Sequence, residues 1–287
     1  MSSLASLIRD AVAAACIAEL EALKPGNVHV HADGHGMTVA DFRKSARVTA
    51  DVLGTPGLRV GERILRAVET TMRTVGCNTN LGILLLCAPL AEAAHQGHLG
   101  PGLRAGLKGV LAALDAEDAR LAYRAIRLAN PAGLGVSARH DVADDPTVTL
   151  LEAMREAQAR DRIAAQYAND FADVFGLGLT RLGDALRRWK RPEWAATAVY
   201  LGFLSHFPDS HIVRGFGAEA ADRVRRRAEK LDRQFQESDD PAAMVDGLME
   251  FDAELKAREQ NPGTSADLTV ASLLAARLAD MDEPAAG

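Results

Sequence analysis

Apolar residues recur every three or four positions through most of the chain. Leu4, Leu7, Ile8, Ala11, Val12 and Ala15 share one stripe, the mark of a helix with one buried face. Thr38-Val-Ala-Asp41 has capping-box spacing and predicts a second helix to about Leu53. A third covers roughly 61–74, and a fourth begins near Asn80 and carries the most apolar run, Leu81 to Ala91, on to His95. Two short helices follow the turn at 97–102, the second opened by Asp115-Ala-Glu-Asp118. Thr149-Leu-Leu-Glu152 predicts a cap on one long helix reaching about Phe175, with Asp161 in its middle. Further helices are expected near 180–189, 193–206, 218–236 and 241–258, with a break at Pro208-Asp209-Ser210. The last helix runs from Thr264 to about Asp280 and leaves 282–287 as a disordered tail.

No segment alternates apolar and polar residues as a half-buried strand does, which rules against a Rossmann sheet or a (β/α)8 barrel. The expectation is an all-α protein, a single compact array of about a dozen helices over residues 1–281. The loop Asn130–Pro146, rich in Gly, Pro and Asp, is the one internal division the pattern offers, as a boundary or an active-site flap.

Composition narrows the function. Apolar residues make up 48% of the 287, charged residues 25%, and the net charge is −6. An acidic chain is a poor general binder of nucleic acid. The dense basic run Arg223, Arg225, Arg226, Arg227 and Lys230 is interleaved with Glu219, Asp222, Glu229 and Asp232, and reads as an ion-paired helix face. The apolar run of the fourth helix is about half of what a membrane span needs. Cys16, Cys77 and Cys87 form no C-x-x-C pair and read as reduced, which points to the cytoplasm.

The chemistry gathers at breaks between apolar helices. In Lys24-Pro25-Gly26-Asn27-Val28-His29, lysine offers a point charge suited to phosphate and Gly26 lets a ligand approach the backbone. Gly76-Cys77-Asn78-Thr79-Asn80-Leu81-Gly82 places capping side chains at a helix start that favours anions. In Asn261-Pro262-Gly263-Thr264-Ser265-Ala266-Asp267, Thr264 and Asp267 have capping-box spacing, so Asp267 is either a cap or a functional carboxylate. Each motif alone is also an ordinary turn or cap.

Together, in this order and spacing, the three motifs resemble the triphosphoribosyl-dephospho-CoA synthase family from Glu19 to Leu274. Arg160-Asp161-Arg162-Ile163-Ala164 with Tyr167, and Pro208-Asp209-Ser210-His211-Ile212-Val213-Arg214, belong to the same resemblance. It implies an all-helical cytoplasmic transferase that joins the ribosyl C1 of ATP to the 2′-hydroxyl of dephospho-CoA, releases adenine and keeps the triphosphate. The product is a precursor of the prosthetic group on citrate or malonate decarboxylase acyl carriers. ATP is then a substrate and magnesium the expected cofactor. Such chemistry passes through an oxocarbenium-like state. The candidates are Lys24 and Arg214 for phosphates, with Gly26, Asn27, Asn78, Thr79, Asn80, Asn261, Gly263 and Thr264 for the rest of the substrate. Asp161 and Asp267 are the candidate carboxylates at the reacting carbon, His35 the candidate base, and Glu19 and Asp267 the candidate magnesium ligands.

The chain departs from that family at two places. It has Asn78-Thr79-Asn80-Leu81-Gly82 where an Asn-Thr-His-Lys-Gly type is usual, and Gly34-His35-Gly36-Met37 where a His-x-Asp-Met segment is usual. The first variant resembles a branch of archaea and one-carbon-metabolising bacteria. That sets a related phosphoribosyl transfer in one-carbon coenzyme synthesis, of the tetrahydromethanopterin type, beside the main reading, with phosphoribosyl pyrophosphate as the other donor. His29-x-His31 with His35 and His140-Asp141 also has the look of a metal-dependent hydrolase, but lacks a strand to carry it. A non-enzymatic helical scaffold is the remaining alternative. Association into a homo-oligomer is left open.

Overall fold

The computed structural model describes residues 3–131 and 140–281. Those residues form fourteen α-helices and no strand, in the order α1 (Leu4–Glu21), α2 (Val39–Leu53), α3 (Val60–Val75), α4 (Leu81–His95), α5 (Leu103–Ala113), α6 (Ala116–Ala129), α7 (Leu150–Ala157), α8 (Arg162–Ala168), α9 (Leu179–Trp189), α10 (Pro192–His206), α11 (Ser210–Phe216), α12 (Ala218–Glu237), α13 (Val245–Ala257) and α14 (Gly263–Ala279). The tail 282–287 and positions 132–139 of the loop expected at 130–146 lie outside the described residues.

Helices α4, α10 and α14 are buried on nearly every side, as helices apolar all round must be. They make the centre, with α14 packed against α1, α4 and α10. Amphipathic α3, α6, α9 and α12 present one face inward. One apolar cluster runs from Ile8 in α1 to Leu278 in α14. Small residues let the helices close up: a Cβ on Gly61 would lie 2.7 Å from the Asp118 backbone, and one on Gly178 2.1 Å from Ser272 Oγ. The central helices are therefore a rigid body whose ends can hold polar groups in fixed positions.

Three capping boxes form where the spacing predicts them, at Thr38–Asp41, Asp115–Asp118 and Thr149–Glu152. The basic run on α12 is ion-paired as expected, Arg223 with Glu219 and Arg225 and Arg226 with Asp222. Two expectations fail. The long helix from Thr149 to Phe175 is broken, because Asp161 is not mid-helix: it is the N-cap of α8 and accepts from the N–H groups of Ile163 and Ala164. Left-handed backbone at Asp170 and Phe171 then ends that helix before a π-helical turn at Val174–Gly178. The box expected at Thr264–Asp267 does not form either. Asp209, the N-cap of α11, reaches over to accept from the N–H and hydroxyl of Ser265 at 2.8 Å each, so Asp267 is not needed as a cap.

Candidate active site

The starts of α4, α8, α11 and α14 and the loop after α1 surround one cavity of about 850 Å³. Its wall includes Glu19, Asn27, His35, Asn78, Thr79, Asn80, Asp161, Arg214, Asn261, Gly263 and Asp267, so motifs separated by up to 240 positions meet in one place. Lys24, Gly26 and Thr264 stand behind that wall. Apolar side chains, among them Met72, Ile126, Leu150 and Met154, line the rest.

Asp267 sits one turn into α14, with its carboxylate pressed against α4. A Cβ on Gly82 would fall 1.9 Å from Asp267 Oδ2, so any side chain at position 82 would take the place of the carboxylate. No hydrogen bond or ion pair within the described residues holds it. Burial pushes its carboxyl well above the usual range, and the negative charges of Asp209, Glu19 and Asp161 push the same way, against Arg214. The cavity is thus a place where added positive charge is strongly favoured.

Lys24 is fully buried, with its ammonium bound to the Glu19 carboxylate and, at 2.8 Å, to Asn27 Oδ1. The expected phosphate ligand is turned inward. Burial disfavours the charge on both partners, lowering the lysine pKa and raising the glutamate's, and each charge is kept by the other. Gly26 is required beside it: its φ is +83°, and a Cβ there would be 2.7 Å from Leu255 Cδ1. Arg214, the other phosphate candidate, lines the cavity with one guanidinium nitrogen 2.6 Å from Asp161 Oδ2 and its buried Nε without a partner among the described residues.

The amides divide into structural and free groups. Asn78 Oδ1 accepts from the N–H groups of Asn80 and Leu81 and so opens α4. Asn27 Nδ2 donates to Asn261 Oδ1 at 2.8 Å. The side chain of Asn80, only 6% exposed, and the buried hydroxyl of Thr79 have no partner among the described residues. Unpaired polar groups this deep cost stability unless a ligand completes them. Thr264 Oγ1 is also buried and without a partner among the described residues.

His35 has left-handed backbone (φ 55°), and its Nε2 lies 2.8 Å from the Gly26 carbonyl. A carbonyl only accepts, so Nε2 carries a proton, and Nδ1 is the nitrogen left to exchange one. His211 was not among the expected site residues. It faces the cavity from the first turn of α11, with Nδ1 2.6 Å from where a Cβ on Gly263 would be, and burial lowers its pKa. Its signal was its place in the Asp209-Ser210-His211 stretch. Asp209, buried at the junction of α11 and α14, lies in the same stretch, an acid following a proline at a helix break.

Among the described residues no three His, Cys, Asp or Glu side chains are grouped so as to hold a metal ion by themselves. Glu19 and Asp267 do offer two carboxylates in a region of surplus negative charge, which suits magnesium completed by polyphosphate oxygens. His29 and His31 do not face a shared site: His29 is fully buried and its Nδ1 accepts from the His31 N–H.

No helix of the described residues is long and apolar enough to cross a membrane. No curated protein is similar in sequence. The fold is similar to a crystal structure from Archaeoglobus fulgidus described as a candidate triphosphoribosyl-dephospho-CoA synthase, with a TM-score of 0.61 and 23% identity, covering 84% of this chain and 99% of that one. The sequence profile of CitG, the ATP:dephospho-CoA triphosphoribosyl transferases, matches residues 5–284. An all-α array whose three polar loops close on one acidic cavity is thus a transferase that belongs to the ATP:dephospho-CoA triphosphoribosyl transferase family.

Proposed function

We propose that this cavity is where the chain carries out the family's reaction and that Asp267 faces the reacting carbon. The C1′–N9 bond of ATP breaks and its electron pair leaves with adenine. The 2′-hydroxyl oxygen of dephospho-CoA bonds to C1′, and the triphosphate stays on the transferred ribose. One proton is lost by the hydroxyl and one is gained by adenine, so charge balances. The observation that carries this reading is the Asp267 carboxylate, seated on Gly82 without a partner among the described residues, where the three loops meet.

The roles follow from what each group has left to offer. A ribosyl carbon losing its base develops positive charge, which the carboxylates of Asp267 and Asp161 stabilise. His35 takes the hydroxyl proton through Nδ1. Asn80, Thr79 and Asn78 Nδ2 bind sugar hydroxyls or phosphate oxygens beside the start of α4. Arg214 supplies a cation for the phosphates. Lys24 acts from behind the wall by keeping Glu19 ionised and Asn27 in place. Glu19 and Asp267 would hold magnesium, which when bound would neutralise and orient the polyphosphate. Gly26, Gly263 and Thr264 let the loops pack close to the ligand.

Incubation with ATP, magnesium and dephospho-CoA should yield free adenine and a heavier CoA derivative in equal amounts. Asp267→Asn should lower kcat by about 10²–10³-fold, the usual cost of one charge-stabilising group, with the fold intact. Acceptor-dependent ADP and phosphate without adenine would overturn the reading, as would full activity of the Asn variant.

A further inference from the structure

The loop after α1 is held by residues outside the cavity that the reaction does not use. Tyr200 of α10 donates to the Pro25 carbonyl at 2.6 Å. Asp252 of α13, 3% exposed, accepts the Gly26 N–H at 2.8 Å through Oδ1. Its Oδ2 is 3.1 Å from Lys256 Nζ, and the same ammonium donates to the Ala32 carbonyl at 3.1 Å. His29 Nε2 lies 3.3 Å from Asp252 Oδ1. Because His29 Nδ1 accepts from the His31 N–H, Nε2 carries its proton beside the carboxylate, close to it but not in line for a hydrogen bond. The His-x-His motif is thus part of a clamp on this loop.

The Gly26 residue that Asp252 grips by its N–H is the one whose carbonyl binds His35 Nε2 at 2.8 Å. We infer that Asp252, with His29 and Lys256, is a positioning residue for His35: it fixes the Gly26 backbone, and through it the orientation and tautomer of the imidazole. The inference rests on the reading of His35 as the base.

Three features support a directed role. The chain is short, one residue long, so displacement of the Gly26 backbone is passed directly to the ring. Lys256 ties the same carboxylate to Ala32, three residues before His35, so both ends of the segment between Gly26 and His35 answer to one side chain. Gly26 itself admits no other residue, because a Cβ would strike Leu255 and Pro262. Hydrogen bonds in such a chain also strengthen one another.

The test is a double-mutant cycle read by adenine release with ATP, magnesium and dephospho-CoA. Asp252→Ala should lower kcat by about a hundredfold, the cost of an ångström of misplacement, while KM for ATP changes by less than about threefold. In a His35→Ala background the same substitution should change kcat by less than about threefold, because the group it positions is gone. Asp252→Asn, whose amide oxygen can still accept the Gly26 N–H, should recover most of the activity. It also serves as the folded comparison if the alanine variant is unstable. A full loss from Asp252→Ala in the His35→Ala background, or a rise in KM alone, would overturn the inference and leave His35 as base. Wild-type kcat in His35→Ala itself would instead overturn the base reading, and the positioning role with it.

Discussion

Arg63 and Asp267 are both ionisable side chains set among apolar helices, and their company is opposite. Arg63 of α3 is fully buried. Its guanidinium binds Glu92 of α4 through Nε and Nη2, at 3.1 and 2.9 Å, and the carbonyls of Leu53 and Thr55 through Nη1, at 2.9 and 2.6 Å. Nearby, Asp118 takes Arg59, the Gly61 N–H and the Asp115 N–H in the same saturated way. Asp267 faces a cavity, has none of these among the described residues, and has Asp209, Glu19 and Asp161 around it against the cation Arg214. A structural buried charge is one whose every donor or acceptor is matched inside the chain. A functional one is left for something else to match. The difference separates the two ends of α4: its last turn is locked to α3 and α2 by Glu92 and His95, while at its start the side chains of Asn80 and Thr79 have no partner among the described residues.

The largest effect that would test this contrast is on stability. Arg63→Ala should cost about 3–5 kcal/mol, since it leaves Glu92 and two carbonyls without their donor. Urea unfolding read by circular dichroism should show it. A loss below about 1 kcal/mol would mean that saturation is not what marks a structural charge here. Next in size is Gly82→Ala, which should leave the helical spectrum unchanged and lower kcat about a hundredfold, by moving the Asp267 carboxylate away from its seat. If activity is retained, the contact between α4 and Asp267 has no part in the site.

The fold was legible because apolar periodicity and local caps decide most of it. Thr38 and Asp41, Asp115 and Asp118, and Thr149 and Glu152 satisfy each other within four residues, so their spacing is enough. The site was legible as three loops and not as an arrangement. Thr264–Asp267 has the spacing of a box, but the partner that replaces it, Asp209, comes from 56 positions earlier. Lys24 reads as a cation offered to phosphate, and only the packing of α1 against α14 shows that it is sealed behind Glu19. Asp161 reads as one residue of a long helix because a capping aspartate between two arginines looks the same as an exposed one. Asp252 carries no local pattern at all, and His211 only its place in the Asp209-Ser210-His211 stretch. Their roles exist only through contacts with the starts of distant elements.

The smallest expected effect concerns pH, and it sets Asp267 against Asp252. Burial and acidic neighbours hold the Asp267 carboxyl above its unfolded value. Such a group favours folding most below its unfolded pKa of about 4. That contribution is lost as pH rises through the folded value. Asp267→Asn cannot ionise, so its melting temperature should match the parent's near pH 4 and exceed it increasingly toward neutral pH. Glu19 is shifted in the same direction and shared by both proteins, so it cancels in the difference except for its coupling to Asp267. At Asp252 burial also raises the pKa, but the nearby His29 ring and the hydrogen bonds from the Gly26 N–H and Lys256 outweigh it and leave the carboxyl below its usual value. Its contribution is therefore present above the unfolded pKa and lost as pH falls through the folded one. Asp252→Asn should melt below the parent at neutral pH and approach it in acid. Thermal melts across that range, with chelator and without nucleotide, give two difference curves of opposite sign. If both variants lose stability at neutral pH, Asp267 has a partner within the fold, and the distinction drawn between it and the saturated charges of α3 fails.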